Sequence, residues 1–179
     1  MNADPSAEIP LAAVTLGAEI MLASTAGSRS VLTDDFFIGP MVTSIGQGEC
    51  VRAIRFPVWP RRRIGVGFFE ISARRSDFAF VAAAAQVALD EEGNCLGIAL
   101  GLGGVADRPL RLDVSSLVGT RLDAASAAET IKAACADIEA MSDLHASATY
   151  RRRVAVTLGI RALEQARDEA AAGPKRDAR

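Results

Sequence analysis

Histidine is nearly absent. His145 is the single one in 179 residues, so mechanisms built on a histidine cluster are excluded. Cysteine is scarce too: Cys50, Cys95 and Cys135 are odd in number, widely spaced and set in apolar-looking segments. That excludes a disulfide framework and a paired-cysteine metal site, and it fits a reducing cytoplasm. Neither charge sign dominates. The net charge of −2 gives no electrostatic case for a nucleic-acid partner. No apolar run reaches the ~18–20 residues that a bilayer-spanning helix needs. The start, MNADPSAEIP, lacks the basic residues and apolar centre of a secretory signal. Also missing are a dinucleotide GxGxxG with a following acid, a Walker loop, HExxH and a nucleophile elbow. Internal repeats are absent.

What is present is apolar. Half of the residues are hydrophobic and 23% are charged, enough for a sizeable core in one ordinary domain or two small ones. Asp4-Pro5 reads as a helix start, with Glu8 in the first turn, Leu11–Leu16 as an apolar helix and Gly17 as its left-handed cap. Residues 18–23 and 29–32 read as short strands around a turn at Gly27. Residues 33–40 (TDDFFIGP) read as a loop with one helical turn and two exposed aromatics. Residues 49–56 (ECVRAIRF) read as a strand with Val51 and Ala53 on one face and Ile54 and Phe56 on the other. Val58-Trp59-Pro60-Arg61-Arg62-Arg63 is the clearest internal boundary. Its arginine triplet reads as a solvated run, with a phosphate contact as the alternative.

The stretch 68–109 organises the rest. Residues 64–72 and 78–89 read as strands, although the alanine run in the second leaves a helix open. Residues 90–94 form a turn, and residues 95–103 a third strand. In that third strand Leu96, Ile98, Leu100 and Leu102 fall on one face. Gly97, Ala99, Gly101 and Gly103 leave the other bare, open to close approach by another element. Residues 104–111 read as a loop, and residues 110–118 as a short helix. A helix capped by Asp123 is expected to reach about Met141, with Ala127, Ile131, Ala134 and Ile138 inward. A last helix over residues 148–172, capped by Ser147, buries Val156, Ile160 and Leu163. Gly173-Pro174 ends it, and a charged tail follows. The Gly101–Gly104 run has no phosphate-cradling helix after it. Arg74-Arg75-Ser76-Asp77 is a polar turn that either binds a ligand or pairs within itself. Asp143 and His145 read as a loop-ordering pair. From these residues alone the fold class is α+β with an antiparallel sheet.

Three strings go further: ISARRSDFAFVAAAAQVALD, LGLGGVADRPLR and SDLHASATYRRRVAVTLGIRALEQA, in that order. Before them stand ADPSAEIPLAAVTLGAEIML, DDFFIGP and GECVRAIRFP. Together these resemble the C-terminal part of the FAD-binding medium subunit of molybdenum hydroxylases, the group of xanthine dehydrogenase and carbon monoxide dehydrogenase. The resemblance implies four parts. Residues 1–57 would end an FAD-binding (PCMH-type) domain and residues 58–63 would be a linker. Residues 64–167 would be the family's C-terminal domain, a three-stranded antiparallel sheet packed with helices, and residues 168–179 a charged tail.

It implies a function as well. Electrons would pass from a molybdenum cofactor through [2Fe–2S] clusters to FAD, and from FAD to an external acceptor. The molybdenum cofactor and the clusters would sit on partner large and small subunits in the cytoplasm. Oligomeric state is left open, a homo-oligomer included. The cofactor-binding positions carried over are Glu8, Val51, Glu70 and Asp77. Glu70 stands where several members carry a flavin-contacting lysine, so its carboxylate reverses the local charge. Ser76 replaces a usual glycine, and Met41 an aromatic. The family's two glycine-rich phosphate loops do not occur in this sequence. On that ground the chain alone is expected to hold FAD weakly, and the competing expectation is an assembly module that has lost the phosphate-binding half. Catalytic residues and metal ligands are not expected within the chain.

Overall fold

The computed structural model describes residues 3–60, 63–74 and 77–173. Thus Arg61, Arg62, Arg75, Ser76 and residues 174–179 of the expected tail lie outside the described residues, while residues 168–172 of it belong to the last helix. The α+β class is as expected. Helix α1 (Glu8–Leu16) leads into strands β1 (Glu19–Ser24) and β2 (Gly27–Leu32). A single turn α2 (Thr33–Phe36), a small ribbon of β3 (Phe37–Gly39) and β4 (Val42–Thr43), and β5 (Cys50–Arg55) follow. The first sheet is antiparallel in the order β2-β1-β5. The second contains β6 (Ile64–Ser72), β7 (Ala79–Leu89), β8 (Cys95–Gly103) and β9 (Leu110–Arg111), in that order and antiparallel. Helices α3 (Ala124–Ala136) and α4 (Ala148–Ala172) complete the chain. The expected three-stranded sheet is therefore present, extended by a two-residue fourth strand where a loop and a helix were read. Only Ser115–Leu117 keeps a helical turn there.

Local signals explain most boundaries. Gly17 adopts φ 64° and closes α1, with the Ala18 N–H donating to the Ala13 carbonyl. Asp4 does not cap α1. Its side chain accepts from the Ser6 N–H in a preceding turn, and the helix starts later at Glu8. Asp123 and Ser147 cap α3 and α4 by accepting from the N–H groups of Ser126 and Tyr150. Gly93 at φ 88° and the Asp90 carboxylate, which accepts from Asn94, close the β7–β8 hairpin.

The main core lies between the second sheet and α3 and α4, around Val81, Leu100, Leu102, Ile131 and Leu163. Helix α4 approaches β6 closely. A methyl group added at Gly65 would sit 2.0 Å from the Ala166 carbonyl, and one at Gly67 2.0 Å from the Ala162 carbonyl. Small residues must therefore line the contact. Ala162, Ala166 and Ala170 are buried against β6, Leu158 and Leu163 are buried in the main core, and Val156 and Ile160 are only partly buried. That corrects the expected stripe: large side chains are excluded where backbones touch. Helix α3 likewise ends at Ala136, and Cys135 rather than Ala134 is fully inside.

A smaller core joins Ile20, Leu22, Phe36 and Phe37. Both phenylalanines are fully buried and meet edge-to-face at 5.1 Å, so the expected exposed aromatics are in fact a core pair. In β5 the register shifts between Met21 and Leu22 of β1, and Arg52 becomes the unpaired extra residue. Val51 then opposes Leu22 and Ile54 opposes Ile20, so both share one face, against the simple alternation expected. Cys50 is exposed, contrary to expectation, while Cys95 and Cys135 are buried free thiols.

The bare face of β8 is covered. Thr15 and Leu11 of α1 press on Gly101, where an added methyl would meet the Thr15 hydroxyl at 2.0 Å. A methyl group added at Gly97 would meet the Trp59 ring at 3.3 Å. Helix α1 is thus apolar on both sides: Leu11 meets Ala79 and Ala82, while Val14 joins the smaller core.

Candidate functional site

Three of the four expected site residues converge. Glu8, Glu70 and Asp77 line one open groove of about 380 Å³ together with Ser6, Ala7, Ile9, Phe78 and Ala79. Glu8 is the first residue of α1, Glu70 lies near the end of β6, and Asp77 ends the turn before β7. The α1-on-β8 contact brings the first wall to the second, because the residues before α1 dock beside the start of β7. The Gly104 N–H donates to the Pro5 carbonyl at 2.7 Å, just ahead of Ser6. Val51 is elsewhere. Its side chain packs on the small core with Ile20 and Leu22, turned there by the β5 bulge.

The groove is polar on one side and apolar on the other. Its three carboxylates accept hydrogen bonds and repel anions. Arg74 comes 3.9 Å from Asp77 and is largely exposed, and Asp77 also accepts from the Phe78 N–H at 2.9 Å. The polar turn is thus partly self-paired. Ile9 is 63% exposed and Phe78 69%, so both offer bare apolar surface. Such a lining suits a flat aromatic ring bearing N–H and hydroxyl donors, and it does not suit a pyrophosphate. Sequence reasoning missed Phe78 and Ile9. The signal was available in the aromatic directly after the Arg-Arg-Ser-Asp turn, but periodicity assigned Phe78 to the strand. Arg63, from the arginine triplet, is neither solvated nor free. It donates to the carbonyls of Asp90, Glu91, Ala170 and Ala171, tying the hairpin to the end of α4.

A larger open groove of about 870 Å³ runs between residues 106–113 and α3. Arg108 and Arg111 share it with Asp107, Asp113, Asp137 and Glu139, so it presents both charge signs and no converging set of like donors. Among the described residues no cluster of His, Cys, Asp or Glu is arranged to hold a metal ion. In the Gly101–Gly104 run, Gly101 and Gly103 lie under α1 and Gly104 lies against the Phe80 carbonyl.

Residues 67–166 match the model of the CO dehydrogenase flavoprotein C-terminal domain, and residues 1–59 that of the FAD binding domain in molybdopterin dehydrogenase. The chain belongs to the medium-subunit flavoprotein family of the molybdenum hydroxylases. The carbon monoxide dehydrogenase medium chain of Afipia carboxidovorans is 34% identical over 171 residues, covering 94% of this chain and 59% of that protein. The glyceraldehyde dehydrogenase medium chain of Sulfolobus acidocaldarius is 33% identical over 167 residues, covering 92% of this chain and 58% of that protein. Reconstituted CO dehydrogenase from Oligotropha carboxidovorans superposes with a TM-score of 0.87 at 33% identity, covering 94% of this chain and 59% of that one. Quinoline 2-oxidoreductase from Pseudomonas putida 86 gives 0.85 at 32%, again covering 94% and 59%. The chain therefore spans about three fifths of the length of the medium-subunit relatives it matches.

Proposed function

We propose that this chain forms the C-terminal portion of an FAD-holding medium subunit, and that the Glu8–Glu70–Asp77 groove is its flavin-facing surface. The observation that carries the reading is the meeting of those three residues, drawn from both family-matched segments, in one groove. On this reading residues 1–57 complete the FAD-binding domain, residues 58–63 link, and residues 64–167 form the C-terminal domain. A bound FAD would supply the electron-accepting chemistry between [2Fe–2S] clusters and an external acceptor. The clusters and the molybdenum cofactor reside on small and large partner subunits in the cytoplasm.

The chain's own residues bind and orient. The carboxylates of Glu8, Glu70 and Asp77 would hold FAD by accepting hydrogen bonds from its donors, and the exposed Ile9 and Phe78 would exclude water from it. Val51 acts at one remove, by fixing the core beneath α1 and β1. The acidic lining leaves the phosphates to be held by other groups.

Co-expression with large and small subunits, followed by flavin and iron analysis, tests this. The assembled complex is expected to retain flavin, and Glu8→Ala with Asp77→Ala to lower flavin content without lowering iron. The chain purified alone is expected to carry less than one flavin per polypeptide. A complex that assembles with full iron and never holds flavin would refute the reading and favour an assembly module.

A further inference from the structure

Arg151 does not line the groove, yet it touches what holds both of its walls. It rises from the first turns of α4 and is only 2% exposed. Its Nη1 donates to the carbonyls of Phe80 and Gly104, and its Nη2 donates to the Asp143 carboxylate at 2.6 Å. Phe80 directly follows the wall residues Asp77, Phe78 and Ala79. Gly104 is the residue whose N–H grips Pro5, just ahead of the wall residues Ser6 to Ile9. The walls are also in direct contact behind the guanidinium: a methyl group on Gly104, at φ 70°, would lie 2.7 Å from the Phe80 carbonyl.

We propose that Arg151 is a positioning residue for the groove, a buried fork that fixes the Phe80 wall and the Gly104–Pro5 wall at one separation. The chemistry favours a guanidinium at this point. Its planar donors reach two carbonyls and a carboxylate together, which a lysine ammonium on a flexible stem does with less geometric control. Burying the charge requires a counter-charge. Asp143 supplies it and is itself held by the N–H groups of Ala146 and His145 at 2.9 Å. Those bonds, led by Ala146 and joined by Arg151, pull the Asp143 carboxyl down to about 2, so it stays ionised. The Arg151 Nε meets no partner among the described residues. The fork is therefore kept buried by what Nη1 and Nη2 hold. The ligand consequence rests on the flavin-facing reading above, whereas the wall geometry does not.

The test compares Arg151→Met, Arg151→Lys and Asp143→Asn in the full chain by amide hydrogen exchange. Exchange at residues 6–9, 77–80 and 104 is expected to rise about tenfold in Arg151→Met, the size of effect when a hydrogen bond to a charged group is lost. Arg151→Lys should restore part of the protection. Residues 100–102 in β8 and 162–166 in α4 should keep wild-type rates. Should Arg151→Met not fold, Asp143→Asn decides, because it leaves both carbonyl acceptors in place and loosens only the anchor. Equal acceleration at the reference segments, or none at the walls, would overturn the proposal by reducing Arg151 to a general stabiliser or a bystander. A parallel flavin-retention assay in the assembled complex separates the two claims. Loosened walls with unchanged flavin retention uphold the positioning role and count against the flavin-facing reading.

Discussion

Asp143 shows how one side chain serves several partners. It accepts from the N–H groups of Ala146 and His145 and from the Arg151 guanidinium, so it orders a loop and neutralises a buried charge at once. The sequence pairing of Asp143 with His145 is met through the His145 backbone; the imidazole itself stacks on Phe80 at 5.9 Å. The pH consequence has a definite sign. In the folded chain the Asp143 carboxyl titrates at about 2, below its ordinary 3.8. Its contribution to stability is thus fully present above pH 3.8 and is lost as pH falls through 2. Between those limits the wild-type urea midpoint is expected to drop more steeply than that of Asp143→Asn. Parallel slopes would count against the pairing. The cysteines divide by environment: burial raises the Cys95 thiol and pushes Cys135 up to about 11, while Cys50 stands exposed on β5.

The β6–α4 contact sets the geometry of the second sheet. Glycines on the strand and alanines on the helix let the two backbones approach, and the Glu169 carboxylate accepts from the edge N–H of Val66 at 2.8 Å. That bond covers part of an open sheet edge, a common route to unwanted pairing. Gly67→Ala would place its methyl 2.0 Å from the Ala162 carbonyl, which cannot rotate away as a side chain does. Overpacking of this kind costs roughly 1–3 kcal/mol and at a backbone contact lies at the upper end. Urea unfolding of Gly67→Ala and Gly65→Ala should show midpoints well below wild type. Unchanged midpoints would mean that α4 sits farther from the strand.

The two family-matched segments form one body through α1. That helix offers Leu11 and Thr15 to β8 and Val14 to the smaller core, so the groove exists only while α1 is docked. Gly101→Val tests the whole arrangement. Its side chain would occupy the Thr15 position and push α1 off the sheet, while the core on the other face stays intact. Limited proteolysis is expected to cut first near residues 56–60, giving a protected fragment that carries β6 to α4. Cleavage unchanged from wild type would show that the two segments hold together without α1.

Much of this was legible beforehand because local chemistry is loud. Asp123, Ser147, Gly17 and the Gly93-Asn94 turn announced their caps and turn, and the alternation of leucine and glycine in residues 95–103 announced two unlike faces. The ordered strings that resemble the medium subunit led to Glu8, Glu70 and Asp77. Other features depend on partners distant in the chain. Phe36 and Phe37 look exposed beside Asp34 and Asp35 until β1 covers them. Val51 and Ile54 share a face only because pairing with β1 leaves Arg52 unpaired. Val156 and Ile160 look like core until β6 demands alanine beneath α4. Arg151, one of three consecutive arginines, is singled out only by the Phe80 and Gly104 carbonyls that accept from it. By itself the sequence determined the caps, the turns and the antiparallel sheet, since propensity, capping and periodicity act within a few residues, and its resemblance to the family supplied Glu8, Glu70 and Asp77 but neither Ile9 nor Phe78. Only the tertiary structure decided which face each residue shows and that the groove closes at all, since burial and carbonyl satisfaction are set by segments that meet across the fold.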